Sequence, residues 1–168
     1  MSLKVWDQNT YFSHLIIPNN WNNLNEFADW YMKSKMPLML PVGSPVYVTN
    51  DATAIVVFRK GKYQVEMYIA KPEFMSSKHS HPFEQQIIFL GGDMWGNREN
   101  GRLQHLGDND KNKVGDVLPS NMWHQVGSGM NGFVFFNCQK WPSVEMMTSA
   151  VVEYNGDSLG PLHNKIIR

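Results

Sequence analysis

Cysteine is almost absent: Cys138 is the single one in 168 residues, so no internal disulfide can form and a secreted, disulfide-stapled scaffold is excluded. Net charge is also missing. Fifteen Lys and Arg are matched by fifteen Asp and Glu, which removes the electrostatic footprint expected of a nucleic-acid binder. No apolar run approaches the roughly 20 residues a membrane helix needs. The opening Met1-Ser2-Leu3-Lys4-Val5-Trp6-Asp7 lacks the apolar core of a signal peptide. A cytoplasmic protein with neither membrane nor nucleic acid as partner is the expectation. Internal repeats and low-complexity linkers are missing too. What remains is ordinary globular composition, 42% hydrophobic, at a length suited to one domain with a proper core. Cys138, in Phe133-Val134-Phe135-Phe136-Asn137-Cys138, reads as an inert thiol on a buried strand, with nothing nearby in sequence to lower its pKa.

The chemistry concentrates in Lys78-His79-Ser80-His81-Pro82-Phe83-Glu84-Gln85-Gln86-Ile87-Ile88-Phe89-Leu90-Gly91-Gly92. Side chains alternate along a strand, so His79 and His81 project to one face. Gln85, Ile87 and Phe89 continue that parity, and Glu84, Gln86, Ile88 and Leu90 take the other. Two imidazoles with an amide or carboxylate oxygen make a partial metal site. His124, after Pro119-Ser120-Asn121-Met122-Trp123, is the candidate for a further ligand. The oxygen donor is left open between Gln85 and Glu84, which a bulge could rotate inward.

These two stretches resemble the paired motifs of the cupin superfamily, small β-barrels that often hold one metal ion. His79, His81, Gln85 and Gly92 match the first motif, with glutamine where the family has glutamate. Pro119, Asn121 and His124 match the end of the second, with asparagine for a glycine. Both residues tolerate a left-handed backbone. Glu73 stands where the first motif begins with glycine, and Ser128 replaces the second motif's last asparagine. The resemblance spans roughly residues 71–139 and implies an all-β fold, a cupin-type double-stranded β-helix or jelly-roll barrel. It also implies one divalent ion (Zn, Ni, Fe or Cu) on His79, His81, Gln85 and His124, and a homodimer.

Around that barrel, residues 1–45 read as an N-terminal extension with one helix, 46–142 as the barrel, and 143–168 as a tail packing on it. Leu24, Phe27, Ala28, Tyr31 and Met32 recur at helical spacing and form a stripe suited to the barrel exterior or a partner subunit. Asn23 and Glu26 resemble a capping box, and Pro37 and Pro41 end the helix. Ala54–Phe58 and Tyr63–Ile69 flank a hairpin turn. Further strands are expected at 84–90, closed by Gly91-Gly92, and at 102–106, 114–117, 122–126 and 132–139. Gly107–Lys113 looks faintly like a calcium loop but lacks the closing glutamate. From Val144 to Tyr154 strand and helix are equally compatible, and Asp157 to Arg168 reads as irregular.

Met122, Phe89 and Arg102 are the candidate substrate contacts, Arg102 as a clamp for a carboxylate. A His/Gln donor set carries no negative charge and favours an anionic ligand. Three functions are compatible. One is an enzyme using a divalent ion as Lewis acid on a small sugar-acid-like anion, as in the similar cupins that linearise unsaturated uronates. The others are an Fe(II)-dependent dioxygenase and a non-catalytic module binding a sugar or other small molecule.

Overall fold

The computed structural model describes residues 18–34, 45–48, 51–76, 78–99, 101 and 103–147. Pro37, Pro41, Arg102 and the tail beyond Met147 lie outside them. In chain order the elements are helix α1 (Leu24–Ser34) and strands β1 (Pro45–Val48), β2 (Ala52–Lys60), β3 (Tyr63–Ala70), β4 (Glu84–Arg98), β5 (Leu103–Leu106) and β6 (His124–Lys140). None of the described helices is long and apolar enough to cross a membrane.

The helix starts where its cap dictates. Asn23 Oδ1 accepts the Glu26 amide at 2.9 Å, satisfying one of the orphan donors of the first turn. The returning carboxylate bond goes to the Asn22 amide at 3.0 Å, one residue earlier than in a standard capping box. Leu24, Phe27, Ala28 and Tyr31 are buried, and Met32 packs partly against them. Together with Trp21 they cover Val57, Phe58, Tyr63, Val65, Ile88 and Cys138 on the outside of the sheet. Phe27 is wholly enclosed, and burial of such a ring contributes roughly 2–3 kcal/mol. The tyrosine hydroxyl of Tyr63 donates to Trp21 O at 2.9 Å. The doubly apolar start of β4 is therefore covered by this chain's own helix over Ile88. Cys138 has no exposure, and burial pushes its thiol well above the usual range, in keeping with an inert role.

The sheet order is β1-β2-β3-β6-β4-β5, with every pairing antiparallel. Two strands are longer than expected. Gly91-Gly92 does not close β4, and residues 122–126 and 132–139 are not separate strands; β6 runs unbroken from His124 to Lys140. The physical reason is that glycine here bends the ladder instead of ending it. Register shifts fall between Phe89 and Gly91 and between Gly92 and Met94, the mark of bulges. Gly92 (φ 97°) and Gly132 (φ 66°) occupy backbone that residues with a side chain rarely adopt, and a Cβ on Gly92 would stand 2.2 Å from Gly132 O. The two strands bend together at that crossing.

Beyond the bend each long strand changes sheets. The late half of β6 pairs with β3 and with the early half of β4. Its early half pairs with the late half of β4 on one side, and through Met75 and His79 with residues 75–79 on the other. The expected strand at 114–117 is instead two single bridges, Ile88 to Val114 and Gln85 to Leu118. Gly115 and Pro119 flank them, and neither residue extends a regular strand. Two facing sheets result, with an interior between them.

Register organises that interior. On the wall made by β2, β3, β6 and β4, directly opposed residues form rows: Arg59, Gln64, Gln139 and Gln85; then Val56, Glu66, Asn137 and Ile87; then Ala54, Tyr68, Phe135 and Phe89. The wall grades from polar to aromatic over about 14 Å, two steps of two residues each. At the aromatic end Tyr68 stacks on Phe135 with centroids 5.3 Å apart.

Candidate metal centre and the polar wall beside it

His79 and His124 form a hydrogen-bonded cross-strand pair, with His79 N to His124 O at 2.9 Å and His124 N to His79 O at 2.8 Å. Opposed residues share a face, and their ring centroids lie 4.3 Å apart. His81, two residues on, brings its centroid to 4.8 Å from His124. One ring nitrogen from each of His79, His81 and His124 can be chosen so that all lie within 4.8 Å of one another. In a tetrahedral site with bonds of about 2.1 Å the nitrogens stand about 3.4 Å apart, so the widest pair would close by roughly 1.4 Å to complete the set. His81 and His124 are buried and His79 partly so.

Two of the rings are oriented by backbone carbonyls. His81 Nδ1 lies 3.1 Å from Phe83 O and His124 Nδ1 lies 2.9 Å from Met122 O. A carbonyl only accepts, so Nδ1 carries the proton in both rings and Nε2 of a neutral ring presents its lone pair inward. His81 Nε2 stands 2.9 Å from Gln85 Oε1. Two acceptors at that distance repel unless a proton or a cation lies between them or the amide is turned over. The donor set fits a divalent ion on this count, with nitrogen and oxygen donors of the borderline type that Zn, Ni and Fe accept. Glu84 belongs to the opposite parity of β4. Its charge is felt at Tyr63, on the helix-covered face, so among the described contacts the oxygen donor beside the histidines is Gln85.

The polar row continues from Gln85 across β6 into β3. Gln64 Nε2 donates to Gln139 Oε1 at 3.0 Å and to Glu66 Oε1 at 2.8 Å. Trp141 Nε1 also donates to Gln139 Oε1, at 2.8 Å, and Arg59 Nε donates to Gln64 Oε1. Glu66 is 3% exposed. Burial pushes its carboxyl up to about 7, against the pull of the Gln139 amide, the Arg59 guanidinium and the Gln64 amide. The Gln139 nitrogen is near enough to favour the charge without reaching hydrogen-bond geometry: Gln139 Nε2 and Asn137 Oδ1 are both buried without a hydrogen-bond partner.

No protein-family model and no curated protein matches the chain by sequence. Solved structures do. KdgF from Halomonas sp. superposes with a TM-score of 0.53 at 12% identity, covering 66% of this chain and 99% of that one. A mutant of Bacillus subtilis oxalate decarboxylase OxdC gives 0.54 at 13% identity, over 77% of this chain and 32% of that one. AerE from Microcystis aeruginosa gives 0.51 at 17%, over 62% and 48%.

The barrel is a cupin fold.

Its motif positions explain two substitutions met in the sequence. Glu73 (φ 59°) and Asn121 (φ 64°) are left-handed, and both stand where the cupin motifs carry glycine. Asn121 tolerates that backbone through its short polar side chain, and Glu73 bears strain there. Ser128, in place of the second motif's asparagine, donates to Lys71 O at 2.7 Å and accepts the Phe74 amide at 2.8 Å. It ties the turn before the first motif to β6.

The expected substrate contacts are distributed. Met122 is half-buried and orients His124 through its carbonyl. Phe89 is fully enclosed in the aromatic third row. Across the strand from His124 stands Arg98, whose terminal nitrogens donate to Val117 O and Asp116 O, each at 3.1 Å. The residues that sequence reasoning passed over are Gln64, Glu66, Asn137 and Gln139. Their signal was the i, i+2 spacing of polar residues on two strands rich in apolar neighbours.

Proposed function

We propose that this chain is a metal-dependent enzyme acting on a small anionic molecule of sugar-acid type. The observation that carries the reading is the convergence of three imidazoles with an amide oxygen 2.9 Å from one of them. His79, His81, His124 and Gln85 would hold one divalent ion, Zn, Ni or Fe. Held there, it would supply a Lewis acid to a carbonyl or hydroxyl oxygen of the ligand. The chain's own contribution is orientation and charge. Phe83 O and Met122 O hold two rings with Nε2 inward, and parity holds Gln85 beside them. None of the four donors is negative, so the centre favours an anionic partner. KdgF and oxalate decarboxylase share the fold alone with this chain, and the choice of a sugar acid rests on the resemblance of the three histidines with Gln85, and of the run His79-Ser80-His81-Pro82-Phe83-Glu84-Gln85, to the uronate-linearising cupins. A cytoplasmic setting and a homodimer belong to the same proposal.

Elemental analysis of freshly purified protein is the first test, with about one ion per chain expected. His124→Ala should lose most of it while far-UV circular dichroism stays unchanged. Equal metal content in that variant would refute the site. Unsaturated uronates followed by NMR test the reaction. Oxygen uptake by iron-loaded protein would point to a dioxygenase, and ligand affinity that survives metal removal would point to a binding module.

A further inference from the structure

The outer face of the barrel, behind the histidine centre, holds a recess of its own. Side chains alternate along a strand, so the neighbours of His79 and His124 point away from the centre: Lys78 precedes the one and Gln125 follows the other. Asn97 stands directly opposite Gln125 in the ladder and shares its outward face. Glu99 comes two residues later, about 7 Å further along. These four side chains, with Arg98, line a cavity of about 160 Å³. It is open to solvent, since Lys78, Asn97 and Glu99 are exposed and Gln125 and Arg98 half-buried.

The polar groups around this space are not spent on one another. Among the described residues no ion pair joins Lys78 to Glu99, and no hydrogen bond engages the Asn97 amide. Gln125 Nε2 donates to Ser76 O at 2.9 Å, so what this amide offers a ligand is Oε1, an acceptor. The terminal nitrogens of Arg98 donate to Val117 O and Asp116 O, each at 3.1 Å, which draws the guanidinium toward residues 116–117 and leaves the Lys78 ammonium as the cation of the cavity. A plain anion would meet Lys78 but also the Glu99 carboxylate and the Gln125 oxygen. A plain cation would meet those two but also Lys78 and the field of Arg98. A molecule with both charges on neighbouring atoms answers both sides, and Asn97, donor and acceptor together, suits either end. Lys78 and Glu99 are anchored on opposite sides of β6, two strand spacings or about 10 Å apart, so their charged ends leave room between them for a few atoms.

We infer that this recess binds a small zwitterion, a free α-amino acid with a compact side chain, its carboxylate on Lys78 and its ammonium between Glu99 and Gln125 Oε1. The site needs no metal and does not depend on the reading of the histidine centre. Occupied, it would tie residues 75–79, β6 and β4 together behind His79 and His124.

The test uses the full chain as purified. Glycine and L-alanine are the probes, acetate and methylammonium the single-charge controls, and the side-chain amide resonances of Asn97 and Gln125 the readout. At least one of the amino acids should shift both sets saturably, with the controls at least tenfold weaker. Lys78→Met and Glu99→Gln, at exposed positions and of similar length, should each weaken the amino acid at least tenfold and leave metal content unchanged. Acetate binding as tightly as the amino acids would make this an anion site, and methylammonium doing so a cation site; either result overturns the inference. So does the lack of a saturable shift, or wild-type affinity in either variant. Should a variant fail to fold, the wild-type comparison of amino acid against the two controls decides alone.

Discussion

Glu66→Gln isolates the buried carboxyl of the polar wall. The side chain keeps its shape and can keep an oxygen for Gln64 Nε2, which donates to Glu66 at 2.8 Å, but it loses its proton chemistry. In the native protein burial raises this carboxyl to about 7 from an ordinary 4.5. The native state thus keeps its proton up to about pH 7, and the unfolded chain releases it near the ordinary carboxylate value. Between those limits the native state binds more protons, so stability falls as pH rises. The contribution is fully present below the ordinary value and lost once pH exceeds about 7. Its size is about 3 kcal/mol, and Arg59, itself held below its usual range chiefly by burial, limits it. Urea unfolding followed by tryptophan fluorescence, at pH 5, 6, 7 and 8, measures it as the difference between variant and wild type. Groups common to both proteins cancel in that difference. Glu66→Gln should be close to neutral at pH 5 and more stable than wild type by about 3 kcal/mol at pH 8, which in a chain of this size is about 6–12 °C in Tm. A difference that stays flat from pH 5 to pH 8 would show that Glu66 titrates as an exposed carboxylate, and the buried polar row would fall with it.

Other expectations are simpler to state. Gln85→Ala should weaken nickel or zinc binding more than Glu84→Ala does, as measured by competition with a chelator; the reverse order would move the oxygen donor to the other face of β4. Glu73→Gly should raise stability by about 0.5–1 kcal/mol, because the left-handed position costs glutamate more than glycine's extra chain entropy costs the variant, and thermal melts would register it. Gly92→Ala should cost more than about 3 kcal/mol, since the added carbon meets both a forbidden φ and backbone 2.2 Å away; soluble yield and urea midpoint report it. Phe27→Ala should cost about 3–5 kcal/mol by opening a cavity under α1, without altering metal content.

Much of the centre was legible because it depends on short-range rules. Alternation puts His79 with His81, the spacing to Gln85 keeps parity, and a turn ending at Asn121 delivers His124. Helix α1 was equally legible, since its stripe and its Asn23 cap are local patterns. The lengths of β4 and β6 were not. Gly91-Gly92 carries the composition of a strand end, and only the neighbouring strand shows it to be a bend: Gly92 has no room for a Cβ because Gly132 crosses it. Glycine at a turn and glycine at a close approach look the same in one sequence.

The polar wall was hidden for a different reason. In β3, residues 63 to 66 are all buried, because α1 packs on Tyr63 and Val65 while Gln64 and Glu66 are enclosed on the other face, bonded to Arg59, Gln139 and each other. Alternation separates those two pairs but does not say which covers water and which covers core. That question is answered by pairing: Gln64 meets Gln139, which meets Gln85, and the row ends at a histidine. A barrel built only for stability would fill such a row with apolar side chains, as it does three strands wide with the aromatic rings of Tyr68, Phe135 and Phe89. Each buried amide that lacks a partner instead carries a desolvation cost. Among the described residues that cost is divided between the polar rows of the wall, at Asn137 Oδ1 and Gln139 Nε2, and the helix-covered side, at Trp21 Nε1, the Tyr31 hydroxyl and Gln86 Oε1.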